Sequence, residues 1–188
     1  MGSFRPVFFH WTLALLFFVA WFSEDILLVH VWAGYGVGAL LLGRLFWGVV
    51  GTRTARFSNF VRGPGAIWTD LRQTLTLRSK PHHGHGPAGG AMVVALLAVI
   101  ALVVASGMAF YGEAWGRGPL AILQPLAGDA ATTALAEPSG DGLWKDIHET
   151  VANLALILVF VHVASVLLAS IGQRRNLVRV MWTGRRRS

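Results

Sequence analysis

The sequence predicts an all-α membrane protein: a four-transmembrane-helix bundle with both termini cytoplasmic. Three observations lead there. Of 188 residues, 54% are hydrophobic and only 13% charged, whereas soluble domains carry about 25% charged residues. Four apolar segments, at about residues 6–23, 27–50, 91–111 and 149–171, each approach the roughly 20 residues that a helix needs to cross a hydrocarbon core about 30 Å thick. The charge of the connections also alternates in sign along the chain. At this length residues 1–188 form one domain.

The first segment, 6–23, carries His10 in F-F-H-W and ends at a tight turn, Ser23-Glu24-Asp25. That histidine, and the lack of a small-residue cleavage site, argue against a cleaved signal peptide. The second, 27–50, places His30 in V-H-V-W-A-G-Y near its outer end. The next connection contains Arg53, Arg56, Arg62, Arg72, Arg78 and Lys80, with Asp70 its one acid, and is expected inside. After the third segment, 91–111, a Gly-, Pro- and Ala-rich connection carries Glu113, Asp129, Glu137, Asp141 and Asp146 against Arg117 and Lys145, and is expected outside. His148 opens the fourth, 149–171, and a tail with Arg174, Arg175, Arg179, Arg185, Arg186 and Arg187 follows. This topology puts 14 of 16 basic residues and one of nine acids on the cytoplasmic side, a strong positive-inside bias. The net charge of +7 is then a topology signal touching anionic membrane lipid, and nucleic acid is not an expected partner. The predicted location is the bacterial inner membrane, crossed several times.

The chain has no cysteine, which excludes disulfides, thiolate zinc sites, iron–sulfur clusters and covalent c-type haem, and leaves histidine to hold a metal. His148 and His162 lie 14 residues apart, about 21 Å and nearly four whole turns, so both leave the last helix on one face. Topology gives each histidine a depth: His10 and His162 fall in the inner half, His30 and His148 in the outer. Taken alone, His148 or His162 reads better as a snorkelling or hydrogen-bonded side chain. Intramembrane ionisable residues are costly, however, and four in two depth-matched pairs are hard to explain as packing. Bis-imidazole ligation of two b-type haems uses all four. Gly34 and Gly38, at four-residue steps from His30, offer the close approach a porphyrin needs, or ordinary small-residue helix packing. Arg44, 14 residues beyond His30, reaches either a haem propionate or inner phosphates. His82, His83 and His85, in H-H-G-H-G, are read as solvated or lipid-facing rather than as a metal site. Most tryptophans fall near helix ends, as interfacial belts require.

F-F-H-W, H-V-W-A-G-Y followed by R-L-F-W-G, G-P-A-G-G-A-M-V, H-E-T-V-A-N-L with V-H-V beyond it, and N-L-V-R-V-M-W-T-G-R-R-R together resemble the prokaryotic cytochrome b561 family over nearly the whole chain. The resemblance implies a four-helix dihaem b cytochrome exchanging electrons between quinone and a partner, with His10, His30, His148 and His162 as iron ligands. Relatives include b-type subunits of nickel–iron hydrogenases, partners of periplasmic c-type cytochromes, and a superoxide oxidase. The chain departs from them in length, being short for a hydrogenase subunit, and in having H-G-P at His85 where relatives tend to have H-N-P.

The outer face carries eight acids and two basic residues, which favours a cationic periplasmic redox protein such as a basic c-type cytochrome. Superoxide, an anion, is the alternative reductant, with Lys145 one turn before His148 as its local attraction. No catalytic residue is expected. The sequence is compatible with a homo-oligomer or with one subunit of a larger complex.

Overall fold

The computed structural model describes residues 4–52, 56–59, 62–77, 86–120 and 142–173. Its helices are α1 (Phe4–Phe22), α2 (Leu27–Val50), a 3-10 turn (Phe57–Asn59), α3 (Pro64–Leu75), α4 (Pro87–Trp115) and α5 (Leu143–Gly172). No strand occurs among the described residues. The fold is therefore all-α. By length and composition α2, α4 and α5 can each cross a membrane, and Val7–Phe22 is a shorter apolar helix. Large apolar side chains such as Phe8, Phe22, Leu42, Phe46, Phe160 and Ile171 are exposed on these helices, the mark of a surface that faces lipid.

Two compact units make up the chain, Met1–Leu97 with Leu158–Ser188, and Ala98–Ile157. In the first, α1 packs on α2, with Phe17, Ala33, Val37 and Leu41 buried. The turn between them closes through Ser23 N–H to Ala20 O (3.3 Å) and Ile26 N–H to Ser23 O (2.9 Å). At Gly36 an added Cβ would lie 2.8 Å from Leu16 Cδ1, so a larger residue here would push the end of that side chain aside.

The basic connection contains a helix, α3, that the expected loop did not include. Pro64 starts it with a preset φ. Asp70, buried on its inner side, accepts a hydrogen bond from Ala88 N–H at 2.9 Å. That carboxylate satisfies one of the orphan donors of the first turn of α4 and complements its dipole. Past α3, Leu77 takes φ 56°, and an added Cβ on Gly172 of α5 would sit 3.3 Å from the Leu77 backbone.

In the second unit, α5 begins at Leu143, earlier than expected, and puts Asp146 in its first turn, where an acid suits the helix dipole. Ala155, seven residues after His148 and so nearly on its face, is 0% exposed.

Candidate functional site

In the first unit α1 brings His10 to His162 of α5. Their ring centres are 6.4 Å apart and the planes are inclined at 42°. His10 also meets the edge of Trp11 at 5.5 Å. Its Nδ1 is buried and has no hydrogen-bond partner among the described residues. Metal–imidazole bonds of about 2 Å place two nitrogens about 4 Å apart across a metal ion, and their ring centres about 6 Å apart. The observed 6.4 Å between ring centres is close to that value.

His30 and His148 are each oriented by a backbone carbonyl. His30 Nδ1 is 2.8 Å from Ala20 O, one of the carbonyls that the end of α1 leaves without a helical donor. In the second unit, His148 Nδ1 is 3.0 Å from Val103 O and 3.3 Å from Ser106 Oγ. The buried Ser106 hydroxyl itself lies 2.7 Å from Leu102 O. A carbonyl can only accept, so each Nδ1 carries a proton, and in the neutral ring the lone pair is on Nε2. This is the tautomer and the outer-shell bond that metal-bound histidines use.

A family model described as prokaryotic cytochrome b561 matches residues 5–184. The chain belongs to the prokaryotic cytochrome b561 family. No curated protein and no solved structure matches it. Membership makes this a membrane cytochrome of the b type, whose work is electron transfer through haem.

The remaining residues of this b561-family chain fall out unevenly. Gly34 faces open space, with nothing within 4 Å of an added Cβ, while Gly38 is buried. The Arg44 guanidinium lies over the Phe57 ring at 4.9 Å, within cation–π range. That ring also packs directly on Gly48. His82, His83 and His85 lie outside the described residues.

Three residues of α4 escaped the sequence reading. Val103 and Ser106 hold His148, and at Gly107 an added Cβ would stand 2.8 Å from His148 Cε1 and 3.1 Å from Nδ1. The only trace of them in the sequence is a Ser-Gly pair inside an otherwise apolar helix. That signal has no meaning until the ring it receives is known.

Proposed function

We propose that the chain carries electrons across the inner membrane through two bis-histidine b haems, between the quinone pool and a cationic periplasmic redox protein such as a c-type cytochrome. The observation that carries this reading is the pair His10 and His162, two imidazoles 6.4 Å apart in an apolar setting. They would hold the inner haem. His30 and His148 are assigned to the outer haem by sequence depth, supported by the Nδ1–carbonyl bond that each makes.

Bound haem supplies a one-electron iron couple. The chain's own residues do the rest. The Ala20 and Val103 carbonyls fix His30 and His148 in the Nδ1–H tautomer and make each ring a better donor. Gly107 leaves space for the His148 ring, and the open face at Gly34 leaves space for a flat macrocycle. Arg44, whose guanidinium lies over Phe57, is the residue assigned to a propionate.

Superoxide oxidation is the second reading, resting on Lys145. That ammonium lies 4.0 Å from Glu149 Oε1, one turn along α5, so part of its field is spent on a neighbouring carboxylate. The net acidity of the outer connection favours the cationic partner.

A pyridine haemochrome assay tests the proposal. Two non-covalent b haems per chain are expected. His10→Ala or His162→Ala should remove the inner one, and His30→Ala or His148→Ala the outer. One haem per chain, or loss of the same redox component from His10 and His30 variants, would overturn the assignment.

A further inference from the structure

Helix α3 is built inside out for a water-facing helix. At 100° per residue, Trp68, Leu71 and Leu75 fall within about 60° of one another, and Asp70 points roughly 130° away from them. The apolar three are the exposed ones, at 63%, 37% and 62%. Asp70 is buried, and Gln73 and Thr74 are half-buried. A helix over water would place these two sets the other way round.

Its position explains the inversion. Asp70 ties α3 to the first turn of α4 through Ala88 N–H, and Gly172 of α5 closes on the Leu77 backbone just past its end. Both anchors are ends of helices long and apolar enough to cross a membrane, so α3 is held at the level where those helices leave the hydrocarbon. Arg62, just ahead of the helix, and Arg72, beside the apolar stripe, are both exposed. The surrounding connection carries six basic residues against Asp70.

We infer that α3 is a membrane-surface helix, its Trp68, Leu71 and Leu75 face seated in the lipid interface and its arginines on anionic headgroups. Interfacial helices of this kind bury an apolar face about 5–10 Å into the headgroup and acyl boundary, with basic residues toward the phosphates. The inference rests on membership of a membrane family and is independent of the haem assignment. The basic connection is therefore not a free cytoplasmic loop. It is a float that fixes the depth of α4 and of the inner end of α5.

Because the chain lacks cysteine, single-cysteine variants of the full protein label at one place. Trp68→Cys, Leu71→Cys and Leu75→Cys, with Thr69→Cys as the off-stripe control, are spin-labelled in nanodiscs of phosphatidylcholine with and without phosphatidylglycerol. Collision rates with oxygen, which concentrates in lipid, and with a water-soluble nickel chelate are then measured. Labels on the stripe should show an oxygen-to-nickel ratio about five-fold or more above that at Thr69, rising further with phosphatidylglycerol. Nickel access on the stripe equal to that at Thr69 would place the face in water and overturn the inference. Shielding from both reagents would mean that protein covers the stripe, the chain's own tail or a second copy, and would overturn it equally. A ratio indifferent to phosphatidylglycerol would overturn the anionic preference. Three stripe positions keep the test open should one variant fail to fold.

Discussion

At the residue scale the decisive contacts are those that hold an imidazole still. Gly107→Ala would press a methyl group to within 2.8 Å of the His148 ring and displace it from Val103 O. On the haem assignment the outer component should then lose intensity or shift in potential while the inner one persists, as a redox titration would report. Gly34→Ala separates two causes. The protein alone offers that methyl group open space, and alanine is the better helix former by about 0.5–1 kcal/mol. The apoprotein should therefore be no less stable, while outer haem content falls; unchanged haem content would remove Gly34 from the site. The four histidines were legible in the sequence because an ionisable group in an apolar run stands out. Their carbonyl partners at Ala20 and Val103 were not, since every residue has a carbonyl and only the folded chain selects one.

At the element scale, α2 runs over the predicted 27–50, because its apolar run is bounded by an acidic turn and a Gly-Thr-Arg exit. Helix α1 keeps within two residues of its predicted bounds, while α4 and α5 run several residues beyond their apolar cores, where polar residues such as Asp146 continue the helix. Helix α3 was not legible. Its single acid read as a minor charge in a basic loop, and its role appears only once Ala88 N–H is seen beside it. Asp70→Ala should cost about 0.5–2 kcal/mol, the usual worth of a helix cap, and lower the thermal midpoint in detergent. Asp70→Asn keeps an acceptor and should retain most of that stability. Equal loss in both variants would show that charge, rather than the hydrogen bond, holds α4.

At the scale of the whole molecule, the two proposed reductants differ in the sign of their charge. If the outer face docks a cationic redox protein, the second-order rate of haem reduction should fall as salt rises, since the Debye length shrinks from about 30 Å at 0.01 M to about 10 Å at 0.1 M. Asp146→Asn, in the first turn of α5, should slow the reaction further by lowering association. With superoxide the same substitution should speed it, and Lys145→Ala should slow it. Stopped-flow measurements with both reductants distinguish the two by sign. This asymmetry was visible in the sequence, because charge counts need no coordinates. Asp141, the neighbouring acid of the sequence argument, lies outside the described residues.

If α3 lies in the lipid interface, Leu77 makes the bilayer a partner in folding. It holds φ 56°, a left-handed conformation that costs a branched residue about 1–2 kcal/mol and that glycine adopts freely. Yet its side chain is 47% exposed, so the protein alone gives little in return. Acyl chains over the exposed half would complete the burial of the leucine, worth about 1.5–3 kcal/mol in all, enough to offset the strain. Leu77→Gly should then stabilise the chain where water bathes this corner and destabilise it where acyl chains do. The sign of one glycine substitution, read from unfolding in nanodiscs, would report the solvent that this position was selected to meet.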